Sequence, residues 1–598
     1  MPGHKFLMTW QLKQNLQKVL AGEKGTQIFP PGSRNGFVLA YPNSYHVGMS
    51  NLGLHIIYRQ INSRQDTACE RVFLPEAKLL SEYEKTHTPL LTLETQRPLN
   101  EFPLIGFAVS FEMDYFHVLT MLKLGRIPLL AMERDENDPL VIFGGPCATF
   151  NPEPLADFAD LVIVGEGEEV IHEILDTYYL ARKERLVRRD VLLRLAQIDG
   201  VYVPRFYQPV YQDDGEIKEI IRVDQVPEKI QRRWIRDLDR YPGQTAIITA
   251  DTEFRDMFLI ELARGCGRQC RFCMAGYCFR RPRVKSLESI ADALAAAPFD
   301  AKIGLVGAAV SDYPEIDRFC REVLPKDKVF SVASLRADSL TPELTASLAA
   351  CGQKTITLAP EAGSERLRKV INKGITREHL TSAVTLAIKA GIFNVRLYIM
   401  IGLPFEEEAD IQAIVSMARE IKQLMATLGS KGRLTLSINP FIPKPFTPFQ
   451  WVPMAEERVV ETRLKYIRSE LQKDKGVAVI AESVREAYVQ GILARGDRRL
   501  SSILMAAVQK NGAKAFRLAM KERCMEEQFY LYRQRRLSEI LPWDSLDIGV
   551  ATSYLINELH KAVQGESTLP CMPGCTRCGV CNAGEQEWKN ERVFLKEE

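Results

Sequence analysis

The sequence has no long apolar run. Its best candidates, AKIGLVGAAV and VRLYIMIGLP, have the length of buried strands and fall well short of the roughly 18–20 residues that cross a bilayer. No membrane partner is expected. The opening residues, MPGHKFLMTWQLKQNLQKVL, lack the apolar core of a secretion signal, so the cytoplasm is the expected compartment. An excess of one charge is missing too: 78 Lys and Arg against 76 Asp and Glu leave a formal net charge of +2. That balance makes no overall electrostatic case for nucleic acid or a lipid surface. The basic runs ARKERLVRRD, KIQRRWIRD and YRQRRL read as solvated helix faces. Internal repeats and low-complexity stretches are also lacking.

What is present is ordinary globular composition over a long chain. With 598 residues, 46% of them apolar, three or four domains with buried cores are expected. Cysteine is the exception to this evenness. Of 13, Cys69, Cys147, Cys320, Cys351 and Cys524 stand alone, while Cys266, Cys270, Cys273 and Cys278 form one set and Cys571, Cys575, Cys578 and Cys581 another. In a reducing compartment, clustered thiols point to metal ligation or redox chemistry rather than disulfides.

The pattern divides the chain into five regions. Residues 1–180 alternate near-continuous apolar runs (GFVLAYP, LIGFAVSF, PLVIFGGP, DLVIVGEGEE) with helical spacing, which predicts a doubly wound α/β domain. Residues 181–250 carry a charged helix and the turn QDDGE between alternating segments, a connector with a β-hairpin. Residues 251–450 give six strand-like runs, FLIELARG, KIGLVGAA, VFSVASLR, TITLAPEAG, NVRLYIMIGLP and RLTLSINPF. Separated by helices, they suit a partial (β/α)6 barrel with its chemistry at the strand C-terminal ends. Residues 451–565 read as mostly helical, and 566–598 as a cysteine-rich tail.

The spacing Cys266-x3-Cys270-x2-Cys273 follows the first barrel strand. Zinc would prefer four ligands, Cys278 being the fourth, whereas short uneven spacings suit thiolates wrapped around an iron–sulfur cube. CGRQCRFC resembles the CxxxCxxC signature of radical S-adenosylmethionine (SAM) enzymes, including the aromatic Phe272 before the last cysteine. The resemblance implies a [4Fe–4S] cluster on three cysteines, with one iron open to SAM and Cys278 a bystander. It also implies reductive cleavage of SAM to methionine and a 5′-deoxyadenosyl radical, and a flavodoxin- or ferredoxin-type donor of the electron.

Carried onto this sequence, the same resemblance places Gly307 and Ala308 at the turn that meets the SAM amino group, with Ala309 where Glu is commoner. Ser334 and Arg336 are suited to ribose or carboxylate, and Glu361 and Arg366 in LAPEAGSER to the zwitterionic end of SAM, although a local Glu–Arg pair closing the rim explains the last two as well. The backbone around Ile399 and Ile401 would support adenine before Gly402 and Pro404 turn the chain.

A doubly wound domain before the barrel resembles the cobalamin-binding subclass. Gly144 and Gly145 in FGGP, with Gly165 and Gly167 in GEGEEV, match its glycine turns. The subclass's Asp-x-His-x-x-Gly is not met: the loop reads YPNSYHVGMSNLG, with Ser44 two before His46. Cobalamin without a protein axial ligand, or a domain that has lost it, both fit. GMSNLGLHIIYRQIN, ERVFLPE, ARGDRR and LPWDSLDIGV extend the likeness to a bacterial family of cobalamin-domain radical SAM proteins. Cys571-x3-Cys575-x2-Cys578-x2-Cys581 suits a second [4Fe–4S] cluster, with zinc as rival. The function implied is radical modification of an unknown substrate, with methyl transfer first. Cobalamin-independent modification of RNA or protein, in the manner of methylthiotransferases, is the alternative, and a non-catalytic iron–sulfur carrier or sensor the third reading. Arg495, Asp497 and Arg498 are open as substrate contacts or an exposed salt-bridged turn.

Overall fold

The computed structural model describes residues 2–581 apart from 254, 256, 299, 300, 325–327, 511 and 573. The part of the cysteine-rich tail after residue 581 lies outside the described residues.

The first sheet is built from β1 (Asn35–Tyr41), β2 (Thr67–Phe73), β3 (Leu104–Ala108), β4 (Leu140–Gly144), β5 (Leu161–Ile163) and β6 (Val201–Tyr202). Their order is β2-β1-β3-β4-β5-β6, parallel except for β6, which pairs antiparallel with β5. This is a doubly wound sheet, whose ligands lie beyond the strand C-terminal ends. The apolar runs of β1, β3, β4 and β5 were legible because both faces are covered. The edge strand β2 was not, since its sequence TACERVF carries Glu70 and Arg71 inward. Arg71 is buried against Glu23 at 2.6 Å and Glu94 at 2.7 Å, and Glu70 accepts from the Thr92 and Thr95 hydroxyls. Buried charges persist only with partners of this kind.

Next come an antiparallel hairpin, β7 (Tyr207–Tyr211) with β8 (Ile217–Arg222), and the short β9 (Ile230–Gln231). The second half starts with β10 (Met257–Glu261), followed by the small ribbon of β11 (Ala263–Arg264) and β12 (Arg283–Val284). Its wall continues through β13 (Lys302–Val306), β14 (Phe330–Val332), β15 (Thr355–Glu361), β16 (Asn394–Ile401), β17 (Leu434–Pro440) and β18 (Val477–Ala481). All pairings along β10-β13-β14 and β15-β16-β17-β18 are parallel, and a parallel bridge from Leu335 to Leu358 joins the two runs. Seven parallel strands therefore succeed one another in chain order, as in a β/α barrel wall. The seventh, VAVIA, lies in the stretch read as helical, where five residues between two charged helices gave too short a period to stand out. Beyond β18 the chain is mostly helical, and β19 (Leu546–Asp547) returns to pair with β9.

Candidate active site

The cysteine loop begins where β11 ends. Gly265 has φ 80°, and a Cβ there would stand 2.2 Å from the Phe279 carbonyl oxygen, so glycine is required at this turn. Gln269, between the first two cysteines, is left-handed at φ 59°. The loop is fastened by the Arg271 amide to the Ile371 carbonyl (3.0 Å) and by the Asn372 side-chain amide to the Gln269 carbonyl (3.1 Å). Cys270 is buried, with Cys266 and Cys273 partly so. Burial pushes the Cys266 thiol up to about 12, and the neighbouring Cys270 and Cys273 add to the shift. Cys270 and Cys273 thus lie near enough to Cys266 to act on it electrostatically. Cys278 is fully buried in the apolar core. Among the described residues, no cysteine forms a disulfide. Among the described residues, no three His, Cys, Asp or Glu side chains converge on a single metal ion.

The strand ends around this loop carry more charge than the motifs suggested. Arg268 holds Asp312 through two bonds of 2.7 and 2.8 Å and reaches Asp338 at 3.1 Å. Arg336 spends two nitrogens on Asp338 at 2.9 Å and also donates to the Lys373 carbonyl. Lys373 pairs with Glu361 at 3.1 Å and lies 5.9 Å over the Phe272 ring. Burial works against its charge, but Glu361 and the Cys270 thiol keep its pKa above the ordinary value. Glu361 ends β15 at φ 67°, a left-handed geometry uncommon outside glycine. Ser334 is exposed. Ile399 and Ile401 point into the core, leaving only their backbone for a ligand.

Arg366 is not brought to this group. It is turned outward, bonded to Asp410 and the Phe405 carbonyl, with Glu407 at 3.4 Å. Its pairing at the rim is local, though with Asp410 rather than Glu361. Arg268, Asp312, Asp338 and Lys373 were missed. Their signals were present in CGRQC, VSD, RAD and NKG, but charged residues beside a motif look like solvated rim until the fold buries them.

A cavity of about 500 Å³ lies between the two halves. One wall is the C-terminal edge of the first sheet: Ala108, Ser110, Gly144, Gly145, Gly165 and Gly167. The other is the barrel edge, with Glu261, Ala263, Arg264, Val306, Gly307 and Ala308. The glycines serve different ends. Gly165 (φ 109°) lets the Arg233 backbone approach, a Cβ standing 2.1 Å from its oxygen, and Gly145 (φ 95°) does the same for Val109. Gly167 is crowded by the Ile57 side chain at 2.9 Å, while a Cβ at Gly144 would meet nothing nearer than Ile163 at 4.0 Å. Of the four, Gly144 is therefore the one open to the cavity. Among the described residues, no histidine lines it. His46 instead bonds Asp251 at 2.9 Å and borders a separate small cavity.

The charged end of the cavity joins the halves. Arg264 bonds Glu168 at 2.8 Å, Glu261 at 2.9 Å and Glu166 at 3.1 Å, and Arg283 holds both oxygens of Glu166. Burial would raise the Glu166 carboxyl, but Arg264 and Arg283 bring it down to about 2. The helix start at Gly167 thus already has its own carboxylates. ARGDRR is also internal: Arg495 is fully buried, donating to the Tyr530 and Val452 carbonyls, and Arg498 holds Glu153 of NPEP. The salt bridges Arg498–Glu153 and Arg499–Asp497 match part of the salt-bridged reading, but the turn is buried rather than exposed.

Two sequence-family models match: radical SAM proteins, N-terminal, over residues 53–204, and the radical SAM superfamily over residues 260–418. The chain belongs to the radical SAM superfamily, whose enzymes use a [4Fe–4S] cluster and SAM. It is 29% identical over 498 residues to an uncharacterised protein of Methanocaldococcus jannaschii, covering 82% of this chain and 94% of that one. An uncharacterised methyltransferase of Pyrococcus horikoshii is 23% identical over 296 residues, 47% of this chain and 58% of its own length. Among solved structures, the cobalamin-dependent SAM radical enzyme OxsB superposes with a TM-score of 0.47 at 14% identity, over 89% of this chain and 79% of that one. Among the described residues, no helix is long and apolar enough to cross a membrane.

Proposed function

We propose that this radical SAM enzyme is a methyltransferase that holds a corrinoid between its two halves. The observation that carries the reading is the shared cavity: the ligand-binding edge of the doubly wound sheet faces the SAM-binding edge of the barrel across one apolar space. Its size is in the range of small-molecule sites, Gly144 opens on it, and it presents no imidazole. Among the described residues, none would give a corrinoid there a histidine ligand.

When bound, the cluster supplies an electron for SAM cleavage and the corrinoid a cobalt able to carry a methyl group. The chain's own residues bind and orient. Cys266, Cys270 and Cys273 would hold the cluster, and Lys373, kept charged by Glu361, stands over Phe272 beside Cys270. Gly307 and Ala308, which line the cavity at the end of β13, would offer their backbone to SAM.

PFIPKPFTPFQW, which resembles the barrel exit of RNA methylthiotransferases, packs inward, and of the basic residues of the linker Arg232 and Arg233 are engaged while Arg236 and Arg240 are exposed. Arg232 is buried, Arg233 pairs with Glu169 and Glu173, Phe441, Phe446, Phe449 and Trp451 are buried, and Lys444 is bonded to Glu112. None of these buried or paired residues is available to stack on bases.

The test is anaerobic isolation of the full chain with iron and cobalt counted, then incubation with SAM and reductant. Formation of 5′-deoxyadenosine and S-adenosylhomocysteine is expected, with bound cobalt showing no histidine nitrogen in its EPR spectrum. The Cys266→Ala/Cys270→Ala/Cys273→Ala variant should lose SAM cleavage entirely. Cleavage retained by that variant, or a wild type that takes up no corrinoid, defeats the proposal.

A further inference from the structure

The second cysteine set is packed directly on the first. The Cys571 amide donates to the Gly267 carbonyl at 2.7 Å, one residue from Cys266, and a Cβ on Gly267 would stand 3.5 Å from that of Cys571. A second bridge runs through side chains. Arg280, 1% exposed, faces the Cys578 thiol and donates to the Gln269 side-chain oxygen, which also accepts from the Tyr554 hydroxyl. Its Nη1 has no hydrogen-bond partner, an unusual condition for a buried cation. Around these, Asn372 bonds both Gln269 and Thr568, and the buried Arg271 joins Glu558 and the Glu566 carbonyl.

The four thiols of this set are near enough to affect one another. Cys571, Cys578 and Cys581 are buried and Cys575 is partly exposed, its sulfur accepting from Arg577 at 3.1 Å. Two guanidinium groups therefore face a thiol set that would be anionic once metal-bound. On the outer side, Leu569 (66%) and Met572 (47%) are exposed, an apolar edge beside Cys571. The set lies between solvent and the first cysteine loop.

We propose that Cys571, Cys575, Cys578 and Cys581 hold an iron–sulfur centre that receives an electron from a low-potential donor protein at the Leu569–Met572 edge and passes it, through Arg280–Gln269 and Cys571–Gly267, to the cluster on Cys266, Cys270 and Cys273. This rests on the radical SAM reading of the first set. Per turnover, the donor is oxidised by one electron and the second centre is reduced and then reoxidised. The electron ends in SAM, where the bond between sulfur and the 5′ carbon breaks to give methionine and a 5′-deoxyadenosyl radical, and no proton is taken up. Donor encounters of this kind need only a small contact area.

The experiment uses the anaerobically reconstituted full chain, with iron, zinc and sulfide counted and photoreduced flavodoxin as donor. Two clusters give about eight irons per chain, and Cys575→Ser, chosen because its side chain is the most accessible, should fall to about four. In that variant, the EPR signal of the first cluster should still shift on adding SAM, showing that the fold and the first site are intact. Reduction of that cluster by flavodoxin should slow at least tenfold, while titanium(III) citrate reduces it at the wild-type rate. Arg280→Met should move the second centre to a more negative potential, since a cation beside the sulfurs favours the reduced form, and Arg280→Lys should restore most of the shift. Zinc in the second site, or an unchanged flavodoxin rate in Cys575→Ser, overturns the relay and leaves the radical SAM reading standing. A wild type whose first cluster ignores SAM overturns both.

Discussion

At the scale of single residues, Gly144 separates the cavity's role from the fold's. Because a Cβ there meets only Ile163 at 4.0 Å, Gly144→Val adds bulk to the cavity without pressing on backbone. The expected outcome is an unchanged thermal transition and iron content with corrinoid affinity at least tenfold lower, measured by equilibrium dialysis of cobalamin. Gly165→Val would be uninformative, since the Arg233 backbone occupies the space its side chain needs. The same contrast explains which residues of the candidate site the sequence could single out. Cys266, Cys270, Cys273, Gly307 and Gly144 belong to motifs with fixed spacing. Lys373 and Asp338 come from separate strand ends and acquire a role only once Glu361 and Arg268 are placed beside them.

At the scale of elements, the helix Leu52–Asn62 is tied to the connector by His55. Its Nε2 bonds the Met49 carbonyl at 3.0 Å, and its Nδ1 accepts from the Ile247 amide at 3.3 Å, so the ring is neutral. Burial lowers its pKa to about 4, with the nearby Arg71 charge acting in the same direction against the Met49 bond. Above pH 6.5 the folded and unfolded forms are both neutral. As pH falls from 6.5 towards 4, the unfolded chain takes up a proton that the folded chain refuses, so stability declines over that window and levels off below it. His55→Gln should lose some stability at pH 7 but decline less. The gap between wild type and variant should narrow by roughly 2–3 kcal/mol between pH 7 and pH 4.5 in chemical denaturation; a constant gap would show that His55 does not titrate this way.

At the scale of the whole molecule, Arg264 links the halves, since its three carboxylate partners come from Glu166 and Glu168 of the first half and Glu261 of the second. Arg264→Met leaves these acids with less than their full complement of positive charge. Removing one partner of a buried ion pair costs about 3–5 kcal/mol, so a marked fall in the thermal transition is expected. Arg283 still holds Glu166, and the loss should therefore be partly recovered by Glu168→Gln in the same chain. Failure of that second change to help would place the cost elsewhere. This link also governs the cavity, because its two walls face one another only while the halves stay docked.

The sequence by itself determined the parallel α/β character of both halves and the two cysteine sets, because apolar periodicity and ligand spacing are local properties of the chain. It could not show β2, whose buried Glu70 and Arg71 look like surface until Thr92, Thr95, Glu23 and Glu94 arrive from elsewhere. Nor could it show that the cysteines near residue 575 pack on those near 270, or that two ligand-binding edges enclose one cavity. Those facts depend on contacts across hundreds of residues, and only the tertiary structure, by bringing Cys571 to Gly267 and Arg264 to Glu166, decided them.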